Sequence, residues 1–242
     1  MGDPRKTSGH WRASVRSSGA WRVARNACGP YSTGSLVEWG SITKGLGGIT
    51  ACLTLDVDRP VADFLPQVPD ASITIADLVH DTSGLPRLPS GMGDSPVGDP
   101  YRATAGQPLD HAAVVPVTPR GEYVYSNLGY ALLGEVLDHV HGDWFEAVRE
   151  HVLEPAGIHS ATTSPDPDHR VLARVIFGKT ITPWALSGSP YAAAGGVCSA
   201  FADLCRYAEW ALVDDAPAER RVSWQREGRR RGSTARYEPP AP

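Results

Sequence analysis

The sequence predicts one α+β domain. Residue patterns predict its helices, and a set of sequence motifs implies its sheet. The chain of 242 residues is 41% hydrophobic and has a net charge of −4, so it is long enough to bury a sizeable core. Apolar residues repeat with a helical period from Leu128 to Val140, and capping patterns precede two further helical segments. A serine three residues before a lysine, at Ser41 and Lys44, adds a candidate reactive site.

The first half of the chain contains two short helical segments and a long loop. Residues 41–52 form a glycine-rich helical candidate. Thr74 and Asp77 have the spacing of a capping box, which predicts a helix running to about His80. Residues 87–119 are rich in proline and glycine, so we expect a long loop that has a functional role or is poorly ordered.

The strongest helical pattern lies in the second half of the chain. It follows Tyr125 over residues 128–140 and ends at Gly142. An Asp-x-x-Glu pattern over residues 143–146 predicts the cap of the next helix. Residues 200–212 predict one more helix, whose inward face comprises Leu204, Tyr207, Ala208 and Ala211.

Composition divides the chain into three segments. Residues 1–34 are basic and show no strand or helix pattern, so we expect a weakly structured segment. Residues 35–213 are expected to form the folded domain, and residues 214–242 a disordered tail rich in arginine and proline. Basic ends of this kind are usually solvated, so we expect no nucleic-acid partner.

The spacing of cysteine, histidine and apolar residues gives no indication of a cofactor site or of a membrane-spanning segment. The four cysteines lack Cys-x-x-Cys spacing: Cys28, Cys52, Cys198 and Cys205. Histidines at 139, 141 and 151 lack the spacing of metal ligands, so we expect no metal and no cofactor. No apolar run reaches the roughly 18 residues of a membrane span, and no signal peptide is visible. We therefore expect a cytoplasmic protein without a membrane partner.

The Ser-x-x-Lys stretch predicts nucleophilic chemistry if Ser41 opens a helix. At this spacing, the Lys44 ammonium and the Ser41 hydroxyl share a helix face. A serine becomes a good nucleophile when a neighbouring base takes its proton, and a desolvated lysine can do so. The chain has only three lysines but 19 serines, so chance would produce this spacing about one time in four from common residue types.

Four stretches carry motifs that strengthen this interpretation. In chain order they are residues 40–44, 77–86, 125–130 and 194–197, the last followed by Asp203 and Leu204. Together they resemble the serine β-lactamase and penicillin-binding-protein superfamily, and most of all its class C-like branch of β-lactamase-related hydrolases. The resemblance implies a β-lactamase/transpeptidase-like fold, in which a helical region packs on an antiparallel sheet.

The resemblance also implies roles for individual residues. Ser41 would be the acylated nucleophile, Lys44 its proton partner, and Tyr125 a general base or proton donor to the leaving group. Asn127 would bind the substrate or Lys44, and the Ser41 N–H would stabilise an oxyanion. Without the resemblance, Tyr125 could anchor the core and Asn127 could be an N-cap.

The sequence departs from the superfamily in places that affect activity. A Lys/His-x-Gly motif, expected after Gly196 on the strand beside the site, is not found, and Lys179-Thr180-Ile181 is a near match in the wrong place. Asp81 stands where the Thr-His-Thr-Ser-Gly segment usually has histidine. The strands expected from both ends of the chain show no alternation, so we expect an incomplete sheet.

The sequence therefore predicts a serine hydrolase that acts through an acyl-enzyme on a small-molecule ester, amide, peptide or lactam. One alternative is a truncated, catalytically inactive relative that at most binds acyl or peptidyl ligands. A second alternative is an interaction protein that uses its basic ends. The sequence does not distinguish among these substrates and does not indicate an oligomeric state.

Overall fold

The computed structural model describes residues 34–92, 99–166, 174–175, 179–180 and 184–211. The weakly structured segment predicted for residues 1–34, apart from Gly34, and the tail predicted for 214–242 lie outside the described residues. The α-helices of the described part are α1 (Ile42–Thr54), α2 (Ile75–Val79), α3 (Asn127–His141), α4 (Trp144–Val148), α5 (Ala192–Gly195) and α6 (Phe201–Ala211). A π-helical turn (Arg149–Leu153) continues α4, and short 3₁₀ turns occur at Val61–Asp63, Arg102–Thr104 and His111–Ala113.

Helix α1 lies at the centre of the helical layer. Its residues from Thr43 to Ala51 are all buried, and it contacts α2, α3, α4 and α5. Leu46 and Ile49 pack with Trp39 in one apolar cluster, whereas Ala51 belongs to a second cluster built mainly on α2 and α3. A helix surrounded on several sides has no broad solvent-facing stripe, which fits the glycine and apolar residues of its buried stretch, with Lys44 as the charged exception.

Local capping patterns explain where α2, α3 and α4 begin. The Thr74 side chain accepts a hydrogen bond from Asp77 N, and the Asp77 carboxylate accepts one from Thr74 N, so the predicted capping box is confirmed. Asp143 caps α4 as predicted. Ser126 Oγ accepts from Gly129 N at 2.8 Å and caps α3, so the alternative in which Asn127 is the N-cap is wrong.

The described strands form two separate antiparallel pairs. Strand β1 (Leu36–Glu38) pairs with β4 (Cys198–Ala200), and Leu36 lies opposite Ala200. Strand β2 (Arg174–Val175) pairs with β3 (Lys179–Thr180). The sequence did not predict these strands, because two or three residues are too few to show alternation. The predicted start of the last helix at Ala200 is also wrong, since Ala200 ends β4.

The described helices include none that is long and apolar enough to cross a membrane. The loop predicted over residues 87–119 contains only the two short 3₁₀ turns at Arg102–Thr104 and His111–Ala113 in its described part. Two residues of this loop, Arg87 and Tyr101, line the cleft that also contains Ser41.

Candidate active site

Ser41 occupies the N-cap of α1, yet its hydroxyl does not cap the helix. Gly40 makes the turn before it with φ +51°, a left-handed conformation that glycine adopts readily. The Ser41 side chain is exposed, and its Oγ is hydrogen-bonded to the Tyr125 hydroxyl. The turn therefore presents the hydroxyl to the cleft, while the helix N-terminus beside it favours negative charge.

Lys44 lies one helical turn beyond Ser41 and is only 5% exposed. Its Nζ donates to Asn127 Oδ1 at 2.7 Å and to the Ala194 carbonyl at 2.6 Å. The Ser41 Oγ lies 3.4 Å from the same nitrogen. The amine is therefore fixed between two acceptors and directed at the hydroxyl.

Burial changes the acid–base behaviour of this amine. Desolvation lowers the pKa of Lys44 from 10.5 to about 7, while the Asp81 carboxylate raises it and the Arg87 guanidinium lowers it. A lysine with this pKa exists largely as the free base in mildly alkaline solution. Lys44 can therefore accept a proton at a pH where an exposed lysine could not.

Tyr125 and Asn127 reach Lys44 from the start of α3. Asp81 holds the segment before this helix in place through two hydrogen bonds. Its carboxylate accepts one from Ser126 N at 3.2 Å, and its backbone carbonyl accepts one from Val124 N at 2.8 Å. Asp81 adopts φ +50° and is 4% exposed. The Lys44 Nζ lies 4.7 Å from the centroid of the Tyr125 ring, so the amine and the phenol form one cluster.

The segment that contains α5 closes the site on the other side of α1. Trp39 N donates to the Val197 carbonyl at 2.9 Å, and Val197 N donates to Thr43 Oγ1 at 3.3 Å. A Cβ added to Gly195 would lie 3.6 Å from the carbonyl carbon of Gly40. These contacts hold the Ala194 carbonyl within reach of Lys44.

A cleft opens above Ser41, beside the aromatic rings of Tyr101 and Trp184, whose centroids are 5.3 Å apart. Its described lining consists of Gly40, Ser41, Arg87, Tyr101, Tyr125, Asn127, Trp184, Leu186, Ala194 and Gly195. Within the described part of the chain, no acceptor engages the Ser41 N–H. This N–H lies at the N-terminus of α1, where backbone N–H groups have no acceptor within the helix.

Comparison with known proteins identifies the family. Residues 13–240 match the family described as Beta-lactamase. The chain belongs to the β-lactamase family. It is 30% identical over 217 residues to penicillin-binding protein 4 of Amycolatopsis lactamdurans, which covers 79% of this chain and 55% of that protein. It is 26% identical over 152 residues to a putative D-alanyl-D-alanine carboxypeptidase of Escherichia coli K12, with 55% and 35% of the two chains covered.

Solved structures share the β-lactamase/transpeptidase-like fold. A class C β-lactamase from Rhodobacter sphaeroides superposes with a TM-score of 0.59 and 22% identity, over 81% of this chain and 57% of that one. A β-lactamase/D-alanine carboxypeptidase from Yersinia pestis gives a TM-score of 0.61 and 20% identity, over 84% and 64%. The chain thus spans about half the length of the first curated relative and less than two thirds of these two structures.

The structure brings together all four residues that the β-lactamase resemblance singled out. Ser41, Lys44, Tyr125 and Asn127 form one hydrogen-bonded cluster. Tyr125 is half-buried, and it is Tyr130 that lies in the core. The geometry therefore favours the predicted site over the core-anchor alternative, while the catalytic roles stay a prediction.

Sequence reasoning missed other contributors to the site. The Tyr101 hydroxyl accepts from Asn127 Nδ2 at 2.7 Å, and burial raises the pKa of this buried tyrosine. Arg87 and Trp184 also line the cleft. These residues come from loops without periodicity. Only Arg87 had a signal, because it directly follows the Thr-Ser-Gly-Leu-Pro motif at residues 82–86.

Two further predictions concern the metal and the missing strand motif. Among the described residues, no cluster of histidine, cysteine or carboxylate side chains could hold a metal ion. The near-match residues Lys179 and Thr180 lie in β3, which pairs with β2 and not with the β1–β4 pair beside Ser41. This placement agrees with the sequence argument that Lys179 and Thr180 do not replace the missing motif.

Proposed function

We propose that this member of the β-lactamase family is a serine hydrolase that forms an acyl-enzyme on Ser41 with an ester, an amide or a β-lactam. The observation that carries the proposal is the pair of contacts to the Ser41 hydroxyl. The Tyr125 hydroxyl bonds to it from one side, and Lys44 Nζ lies 3.4 Å away on another. A serine hydroxyl with two potential proton acceptors can act as a nucleophile, because it can lose its proton as it attacks.

The hydrogen bonds of Lys44 indicate which group takes that proton. A neutral amine has two N–H donors and one lone pair. The Asn127 and Ala194 oxygens, at 2.7 and 2.6 Å, satisfy the two donors, which leaves the lone pair for the Ser41 hydroxyl. Since burial lowers the pKa of Lys44 to about 7, this neutral form is well populated at slightly alkaline pH.

Acylation would then proceed in two steps. Ser41 Oγ bonds to the substrate carbonyl carbon as its proton moves to Lys44 Nζ, and the Ser41 N–H stabilises the oxyanion that forms. Collapse of this intermediate breaks the bond to the leaving group. Tyr125 donates a proton to that group and regains one from Lys44, whose amine lies against its ring.

Hydrolysis of the acyl-enzyme reverses these roles. Water attacks the acyl carbonyl carbon and loses its proton to the Lys44–Tyr125 pair, and Ser41 Oγ leaves with a proton. The named relatives are a penicillin-binding protein and a putative D-alanyl-D-alanine carboxypeptidase. D-alanyl-D-alanine peptides and β-lactams are therefore the first substrates to test, with simple esters beside them.

Intact-protein mass spectrometry tests the proposal directly. The protein is exposed to a fluorophosphonate, and separately to a β-lactam, next to a Ser41→Ala variant. We expect one adduct on the wild type and none on the variant. If folded wild-type protein forms no adduct with either reagent, the chain is an inactive relative that at most binds acyl or peptidyl ligands.

A further inference from the structure

Two separate segments of the chain supply the aromatic wall of the cleft. Tyr101 is 2% exposed, whereas Trp184 is 43% exposed. The ring centroids of these two residues are 5.3 Å apart, and the ring of Tyr191 lies 5.4 Å from that of Tyr101. Trp184 is thus the most exposed ring of the three. Because packing covers only part of the indole, its position depends on the backbone that carries it.

The carboxylate of Asp99 joins these two segments. One of its oxygens accepts a hydrogen bond from Tyr101 N at 2.9 Å, and the other accepts one from Ala185 N at 2.8 Å. Ala185 directly follows Trp184, so the second bond fixes the backbone beside the indole. Hydrogen bonds to an ionised acceptor are roughly twice as strong as those between neutral groups. Asp99 therefore holds the two parts of the aromatic wall against each other.

The other hydrogen bonds between the two segments lie farther from the cleft. Gly106 N donates to the Gly188 carbonyl at 2.8 Å, and the hydroxyls of Thr104 and Ser189 are 2.7 Å apart. None of these four residues belongs to the described lining of the cleft. Within the described part of the chain, the bond from Ala185 to Asp99 is therefore the one that directly places a lining residue.

Asp99 itself stands apart from the chemistry at Ser41. It is absent from the described lining of the cleft. Burial lowers the pKa of Lys44, and the charges that modify this effect belong to Asp81 and Arg87. An effect of Asp99 on activity must therefore arise from the position of the aromatic wall, and not from the proton transfer at Ser41.

We propose that Asp99 is a positioning residue of the candidate active site, whose carboxylate fixes Trp184 beside Tyr101 and thereby sets the preference of the site for substrates with an apolar ring. A carboxylate suits this role because two N–H donors need two acceptor oxygens, whereas an asparagine side chain offers one. This inference rests on the proposed hydrolase function, because it concerns how the same site selects its substrate.

Amide hydrogen exchange followed by NMR tests the link without any ligand. In an Asp99→Asn variant, the remaining carbonyl oxygen would keep the bond to Tyr101 N, which spans only two residues. We therefore expect the Ala185 amide to exchange at least about tenfold faster than in the wild type, because a hydrogen bond to a charged group is lost. Asp99→Glu, which keeps both oxygens, should retain part of the protection. An unchanged exchange rate at Ala185 in Asp99→Asn would overturn the inference.

Three uncharged thioesters test whether the wall selects the substrate. S-methyl thioacetate is the reference, S-methyl phenylthioacetate adds a ring to the acyl part, and S-benzyl thioacetate adds one to the thiol part. We expect the wild type to prefer at least one ringed ester in kcat/KM. Asp99→Asn should reduce this preference by about two- to tenfold, the range that one aromatic contact contributes, through KM and not kcat. No preference in the wild type, or an unchanged preference in Asp99→Asn, would contradict the proposal.

Two further comparisons assign the effect to the wall. Trp184→Ala should reduce the preference by a similar factor, and adding Asp99→Asn to it should cause no further loss, because the link then has no indole to place. Asp70→Asn is the matched control, since the Asp70 carboxylate accepts from Ser72 N at 2.9 Å with the same spacing and bonds only to Ser72 among the described residues. It should keep the whole preference. Additive losses in the double variant, or an equal loss in the control, would overturn the assignment.

The hydrolase proposal and the role of Asp99 can fail separately. If Ser41 does not react with a fluorophosphonate and no thioester is hydrolysed, the hydrolase proposal is refuted. The exchange rate of the Ala185 amide does not depend on turnover, so it still decides whether Asp99 holds the segment that carries Trp184.

Discussion

Replacing Lys44 with methionine tests whether folding brings the pKa of the Lys44 amine close to neutral pH. The pKa of Lys44 falls from 10.5 to about 7 on folding because the amine is buried. At about 1.4 kcal/mol for each pKa unit, the difference corresponds to about 5 kcal/mol. Between these two values the unfolded chain binds a proton that the folded chain has released, so the free energy of unfolding must rise with pH.

The assay is urea unfolding of the wild type and the Lys44→Met variant over a series of pH values from neutral to alkaline. The difference between the two proteins cancels the groups that they share. We expect the wild type to gain stability relative to the variant by about 1.4 kcal/mol per pH unit above pH 7. If the two curves stay parallel up to pH 10 or so, Lys44 remains protonated and cannot be the base proposed for Ser41.

Five further substitutions test single positions. Asp81→Asn should lower the pKa of Lys44 and Arg87→Gln should raise it, because the two charges act on this amine in opposite directions. The pH at the midpoint of fluorophosphonate labelling should therefore fall in Asp81→Asn and rise in Arg87→Gln. Shifts of this midpoint in the same direction would contradict the assignment. Gly134→Ala should lower the free energy of unfolding by about 1–2 kcal/mol through overpacking, since the new Cβ would lie 2.6 Å from Ala193 Cβ. Gly47→Ala should instead raise the free energy of unfolding by up to about 1 kcal/mol, because nothing lies within 4 Å of the new Cβ. Urea unfolding measures both glycine variants, and a change of the opposite sign in either one would contradict the prediction. Asp203→Asn should destabilise the protein by about 1–3 kcal/mol at neutral pH: burial raises the pKa of Asp203, but hydrogen bonds from Ser160 and the pairing with Arg206 outweigh it and lower the pKa overall. The gap between wild type and variant should therefore close as the pH falls below the ordinary range of aspartate, and a gap independent of pH would show that the carboxylate is not the stabilising group.

Features that depend on neighbouring residues could be predicted from the sequence. The capping box of Thr74 and Asp77, the Asp143 cap and the end of α3 at Gly142 each involve residues within one or two turns. The same applies to the approach of Lys44 to Ser41, because the two are three residues apart. Local geometry fixes such contacts before any tertiary packing is known.

Features that depend on distant segments were predicted only through the resemblance, or were missed. Two groups that accept hydrogen bonds from Lys44 are far from it along the chain: Asn127 is 83 positions away, and the Ala194 carbonyl is 150 positions away. Tyr101 and Arg87 come from a loop without periodicity, and the three-residue strands β1 and β4 are recognisable only once paired. The sequence by itself therefore identified Lys44 as the candidate proton partner of Ser41. The lowered pKa of Lys44 was decided by the tertiary structure, because only the packing of several helices around α1 removes water from that amine.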